Sequence, residues 1–221
     1  MARFKDREKA LVLRKQGKSY SQIKKILGLS KGTLSVWLRK YPLSKQCIRE
    51  LRDWNEQRIE KYRETMRKKR QTRLDRTYDE QKKIVLPLTK REFFIAGLML
   101  YWGEGKKSKP TALSISNTDP SVIKFFIKWL NNCLLVPKEK IKIQLHLYND
   151  MKVKKEIRYW SQTLKLPLKQ FNRPYIKETS CQRINHKGTF GHGTCNAEIN
   201  SVLLAEKILM SLKVISDRCA E

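Results

Sequence analysis

A lone carboxylate, Glu104, stands between Gly103 and Gly105 at the end of an apolar run, Phe93-Phe94-Ile95-Ala96-Gly97-Leu98-Met99-Leu100-Tyr101-Trp102. The run predicts a helix, and a carboxylate at a helix C-terminus faces the negative end of the dipole. Compensation would come from a divalent cation or from the adjoining Lys106 and Lys107. The flanking glycines leave the backbone free to turn there. Within the helix, Ala96-Gly97 would let another backbone come very close, because glycine has no Cβ.

A second cluster could hold metal. Cys181, His186, His192 and Cys195 fall within one Gly-containing stretch, and all four are of zinc-ligating type. Their spacing, Cys-x4-His-x5-His-x2-Cys, matches no common zinc finger. Scattered Cys and His are ordinarily not ligands, so zinc is not expected, and the basic surroundings suit a DNA-facing loop equally well.

These residues need elements to position them. The helix leading to Glu104 is expected over Lys90–Trp102, after a boundary at Pro87. Residues 111–117 alternate and predict a strand. Asp119-Pro120 then opens a helix, with Pro in its first turn, whose buried stripe is Val122, Ile123, Phe126, Trp129 and Leu130. In 141–148 the alternation is cleanest. Ile141, Ile143, Leu145 and Leu147 point into a core, while Lys142, Gln144, His146 and Tyr148 point the other way. Such a face is suited to lie against DNA, though an ordinary solvated sheet face has the same pattern. A helix over 151–164, strands near 171–177 and 194–200, and a last helix over 201–212 complete the reading.

The chain has 221 residues, with 49 Lys+Arg against 21 Asp+Glu and a formal charge of +28. That excess implies a polyanionic partner, and nucleic acid comes first. No apolar run reaches membrane-spanning length, and the N-terminus lacks the apolar core of a signal peptide. The five cysteines are odd in number and contain no Cys-x-x-Cys pair. Free thiols in a reducing compartment, the cytoplasm and its nucleoid, are the expectation.

Residues 1–43 read as three short helices: 8–16 ended by Gly17, 21–27 capped by Ser19 or Ser21, and 31–40 capped by Ser30. Leu27, Leu29, Leu34, Trp37 and Leu38 would form a small core. Lys31, Thr33, Ser35, Val36 and Arg39 would remain outside, as a recognition helix requires. The stretch from Gly28 to Leu38 resembles helix-turn-helix units of the resolvase/transposase class. Residues 44–87 are rich in Arg, Lys, Glu and Gln and predict a long basic helical connector, with Glu50, Glu56, Glu60 and Glu64 paired along it. Arg67-Lys68-Lys69-Arg70 would face phosphates or solvent.

Residues 88–221 form a domain that, over roughly Glu92 to Leu212, is similar to the LAGLIDADG homing-endonuclease superfamily. The likeness rests on Ile95-Ala96-Gly97-Leu98 leading to Gly103-Glu104-Gly105, then strand, Asn117-Thr118-Asp119-Pro120 with helix, strand, helix, strands and helix. It is especially similar to a prokaryotic branch with a Tyr-Trp-Gly-Glu-Gly-x-Lys motif. The resemblance implies an α+β fold with a curved antiparallel sheet over duplex DNA, and a homodimer packed through Ala96 and Gly97. It also implies Mg²⁺ or another divalent cation at Glu104, with metal-held water attacking phosphorus. Lys106 or Lys107 would polarise phosphate, with Lys107 also placed to contact DNA. His146 or Gln144 would position water or touch DNA, beside Lys142 and Tyr148. Related regulators carry a degenerate domain of this type with a helix-turn-helix and do not cleave, so a non-cleaving transcriptional regulator is the alternative expectation.

Overall fold

The structure, a computed structural model, describes residues 4–51, 54–108, 111–178 and 191–219. The chain divides into two compact units, Met1–Pro87 and Leu88–Glu221. Among the described residues no helix is long and apolar enough to cross a membrane.

The first unit is helical: α1 Phe4–Lys15, α2 Tyr20–Leu27, α3 Lys31–Leu38, α4 Lys45–Glu50 and α5 Trp54–Val85. Local signals set the first boundaries. The Ser19 hydroxyl accepts from the Gln22 amide and the Gln22 side chain returns to the Ser19 amide, closing a capping box on α2. Gly28 ends α2 in the left-handed conformation at φ 64°, where a side chain would be strained. Ser30 caps α3 by accepting from the Thr33 amide. Ala10, Tyr20, Ile23, Leu29, Leu34 and Leu38 are buried together, with Leu27 and Trp37 at the margin.

The connector departs from a single helix. It breaks after α4, where Leu51 is extended at φ −64°, ψ 119°, although residues 44–83 hold no Gly or Pro. Leu51 is buried with Leu43 and Ile48 in a small satellite core, and the Gln57 side chain donates to the Leu51 carbonyl. Burial of Leu51 offsets the interrupted helical hydrogen bonds.

The first half of α5 belongs to this unit's packing. Arg14, on α1, donates to both oxygens of Glu60, at 3.1 Å to Oε2. The two side chains are only 3% and 6% exposed. Arg63 bonds the same carboxylate at 3.0 Å, and the guanidiniums of Arg14 and Arg63 both lie over the Tyr20 ring, 4.5 and 4.1 Å from its centroid. The Ser19 hydroxyl donates to Glu56 at 2.6 Å. Of the expected helical pairs, Glu64–Lys68 forms along α5 at 3.1 Å; Glu60 is committed mainly across the fold.

The second unit is α+β. Its elements are α6 Lys90–Glu104, β1 Ala112–Asn117, α7 Pro120–Leu134, β2 Lys142–Tyr148, α8 Val153–Leu164, β3 Tyr175–Lys177, β4 Thr194–Asn200 and α9 Val202–Cys219. The strands form one sheet in the order β1-β4-β2-β3. β4 is antiparallel to both β1 and β2, but β3 is parallel to β2. The sheet is therefore mixed, not antiparallel throughout, because α8 carries the chain over between β2 and β3 and returns it in the same direction. One core joins Leu98 and Tyr101 of α6, Phe126, Trp129 and Leu130 of α7, Trp160 of α8 and Ile208 of α9 to the inward residues of β1, β2 and β4.

Candidate nucleic-acid interface

In the first unit the exposed side of α3 is the surface of interest. Leu34 and Leu38, one turn apart, are fully buried and fix the helix to the core. Lys31, Ser35, Val36 and Arg39 are exposed, Val36 by 67%. Thr33 differs from the expectation. It is half-buried, and its hydroxyl lies 2.9 Å from that of Ser30, so it completes the cap. α2 joins α3 through the three-residue turn Gly28-Leu29-Ser30, as in helix-turn-helix units.

In the second unit the residues facing away from the core form rows across three strands. Inward Ile143, Leu145, Leu147, Cys195, Ala197 and Ile199 are buried, so their neighbours on each strand point outward. One row is Ser114–Glu198–Lys142, closed at its β1 end because Ser114 is buried, and the next, Ser116–Asn196–Gln144, is open along its length. His146 pairs with Thr194 on one side and Tyr175 on the other, and Tyr148 with Lys177. The rows are tied laterally. The Ser116 hydroxyl donates to Asn196 Oδ1 at 3.0 Å, and the Gln144 amide to the Arg173 carbonyl at 3.2 Å. Lys142 is exposed, while Gln144, His146 and Tyr148 are half-buried. Sequence reasoning found the β2 half of this face. It missed Ser116, Asn196, Tyr175 and Lys177, though the alternation of β4 carries a signal for Asn196.

His146 lies edge-on to Tyr175, ring centres 5.6 Å apart. Partial burial, then the positive charges of Lys177 and Lys106, push its pKa below the ordinary histidine value. The imidazole is thus held toward its neutral form, able both to donate and to accept. The backbone at Gly193 is left-handed at φ 76°, and a Cβ there would meet Leu147 Cδ2 at 2.4 Å and the His146 carbonyl at 2.8 Å. Only glycine lets β4 begin so close to β2.

Glu104 is the last residue of α6, two residues beyond the expected end, and is exposed. Among the described residues it has no hydrogen-bond or ion-pair partner. Lys107 turns instead to the Gly105 carbonyl at 3.3 Å. Gly105 is needed for space, not for freedom to turn. Its backbone is extended, and a Cβ would strike the Tyr101 carbonyl at 2.3 Å and the Tyr101 ring at 2.5 Å. The buried Tyr101 hydroxyl, whose pKa burial raises, donates to the Lys106 carbonyl at 3.0 Å, and the Lys106 amide donates to Ser114 of β1 at 2.9 Å. This ties the residues after Glu104 to the sheet and places Lys106 within electrostatic reach of His146.

The small pair of α6 separates. Gly97 faces its own chain, where a Cβ would sit 2.1 Å from the Trp129 ring, and Trp129 Nε1 donates to the Phe94 carbonyl at 3.0 Å. Its small size is therefore used inside the unit. Ala96 is half-exposed beside a solvent-facing apolar stripe of Ile95, Met99 and Trp102, which are 37%, 38% and 40% exposed.

Among the described residues no three His, Cys, Asp or Glu side chains converge. Glu104 alone is one oxygen ligand where a magnesium ion takes six, so a single copy does not by itself fit that cation. Cys181 and His186 lie outside the described residues. Cys195 points into the core, where burial raises its thiol pKa. His192 Nδ1 lies 2.6 Å from the buried Glu156, stacks on Tyr159 and accepts from Trp160 Nε1 through its carbonyl. Cys47 and Cys133 also carry free thiols.

The fold and these surfaces define a two-unit α+β protein with basic helices ahead of a mixed sheet. No protein-family model matches the chain, and no curated protein or solved structure is similar to it at a significant level.

Proposed function

We propose that this protein binds double-stranded DNA sequence-specifically, reading bases with α3 and holding the duplex additionally with the outer face of the sheet. The observation that carries the reading is the division of α3. Leu34 and Leu38 are buried, while Lys31, Ser35, Val36 and Arg39 are presented together to solvent. A helix of this kind fits the major groove. The charge of +28 supplies the sequence-independent attraction that such proteins need. On the sheet, Gln144, Asn196, Ser116 and neutral His146 offer mixed donors and acceptors. The test is selection from a random-sequence duplex library with the full chain. A shared motif is expected; recovery of unrelated sequences contradicts the reading.

A second reading, site-specific DNA cleavage by a homodimer, is favoured by one observation. The carboxylate of Glu104 ends an apolar helix whose Ile95–Met99–Trp102 stripe is open to a second copy. Two such helices packed in the same direction would bring two Glu104 carboxylates together. Incubating the selected duplex with protein and Mg²⁺ or Mn²⁺ tests it. Cleavage abolished by Glu104→Gln supports the enzyme, and binding without cleavage supports a regulator.

A further inference from the structure

Beside α3, on the side of Ser35 and Arg39, a groove of about 550 Å³ opens between the small helices and α5. Its floor is apolar, with Leu38, Pro42, Leu43 and Ile48, and its wall is α5, which adds Met66. The cations around it fall into two groups. Arg14 and Arg63 are engaged by Glu60 and serve the fold. Arg39, Arg67, Lys69, Arg70 and Arg73 also line the groove, and among the described residues none of them forms a salt bridge. Arg67, Lys69, Arg70 and Arg73 are exposed.

We infer that this cationic wall of α5 holds one phosphate strand of the same duplex whose major groove receives α3. The inference rests on the reading of α3 given above. A major groove about 12 Å wide is bordered by a phosphate strand on either side of an inserted helix. On the Ser35–Arg39 flank of α3 the next element is α5. Arg67, Arg70 and Arg73 recur every three residues, about 4.5 Å of helix rise and about 60° of turn at each step, so they form a row winding obliquely across α5, suited to a polyanion that crosses the helix at an angle. Besides Glu60, the one carboxylate lining the groove among the described residues is Glu64, which is bridged to Lys68, so the cations are in large excess there. Holding them together is unfavourable in the free protein, and a bound strand relieves it. The Arg14–Glu60 bridge fixes the start of α5 to α1, so the array is presented in a set position within the helical unit. The connector is therefore part of the DNA-binding surface, supplying affinity without sequence preference.

The test uses the full chain and its selected duplex, with affinity measured over a salt series. Arg67→Gln, Arg70→Gln and Arg73→Gln together lie on an exposed helix face and keep good helix formers. The triple variant is expected to bind all duplexes more weakly, keep the selected motif, and lose about 2–3 from the slope of log K against log salt, near 0.9 per phosphate contact. The matching Arg→Lys triple variant is expected to restore most of the slope. An unchanged slope and affinity in the Gln variant overturn the inference and leave the groove to a different acidic partner, such as a peptide. If the parent protein selects no motif, it is the reading of α3 that fails. A parent that selects a motif, with a Gln variant of unaltered slope, sinks only the α5 strand contact.

Discussion

The exposed side of α3 and the outer face of the sheet carry similar side chains but are held in opposite ways. α3 is set by neighbours in sequence: Ser30 caps it, Gly28 turns into it, and Leu34 and Leu38 seat it. The sheet face is assembled from distant segments, with Ser116 bonded to Asn196 across 80 residues. Damage to a locally specified surface should therefore weaken function before stability. Damage beneath the sheet should take the whole face with it.

The largest effects come from buried groups that fix each unit. Glu60→Ala leaves the Arg14 guanidinium buried without its counter-charge, at a cost of about 3–5 kcal/mol. Calorimetry should show the helical unit's transition lost or greatly lowered while the second unit still melts cooperatively. Joint replacement of Arg14 and Glu60 by Met should recover much of the loss. Gly97→Ala is the matching test in the second unit. Its new methyl meets the Trp129 ring and should cost about 1–3 kcal/mol or more, lowering that unit's transition and leaving duplex binding by α3 in place. If both substitutions lower both transitions equally, the two regions are not independently stabilised.

Smaller changes sharpen the contrast. Ser30→Ala removes the α3 cap at about 1 kcal/mol. In titrations it should weaken binding to the selected duplex while leaving the melting of the sheet unit unchanged. The pH dependence at His146 is smaller still. Burial and the charges of Lys177 and Lys106 depress its folded pKa below the ordinary 6.5. Its contribution to stability is fully present above that unfolded value and is lost as pH falls through the lower folded value. Between about pH 7 and pH 5 the parent should lose more stability than His146→Gln in chemical denaturation. Bound phosphate would raise the pKa again, so proton uptake on binding DNA is expected in the same window.

What could be read from the chain follows the same division. The Ser30 and Asp119-Pro120 starts, the Gly28 stop and the alternation of β2 are local patterns, and they place α3, α7 and half of the sheet face. The break at Leu51 has no local signal, since neither Gly nor Pro marks it; it exists because Leu51 packs on Leu43 and Ile48. Glu60 looks like any helical ion-pair partner until Arg14, 46 residues earlier, is brought to it. The direction of β3 depends on the α8 crossover, and the role of Gly97 depends on where Trp129 arrives. Side-chain spacing within a helix or strand is visible in sequence; which distant group fills the space beside it is not.

The central claim is that α3 reads base sequence, and the specificity ratio of one variant tests it most directly. Ser35→Ala with Val36→Ala alters the exposed side without removing a charge and leaves Leu34 and Leu38 untouched. For the selected duplex against a scrambled one, each lost base contact should lower the ratio by about 1–3 kcal/mol, roughly 5- to 150-fold, with non-specific affinity falling far less. An unchanged ratio, with the parent's motif still selected by the variant, would contradict recognition through α3.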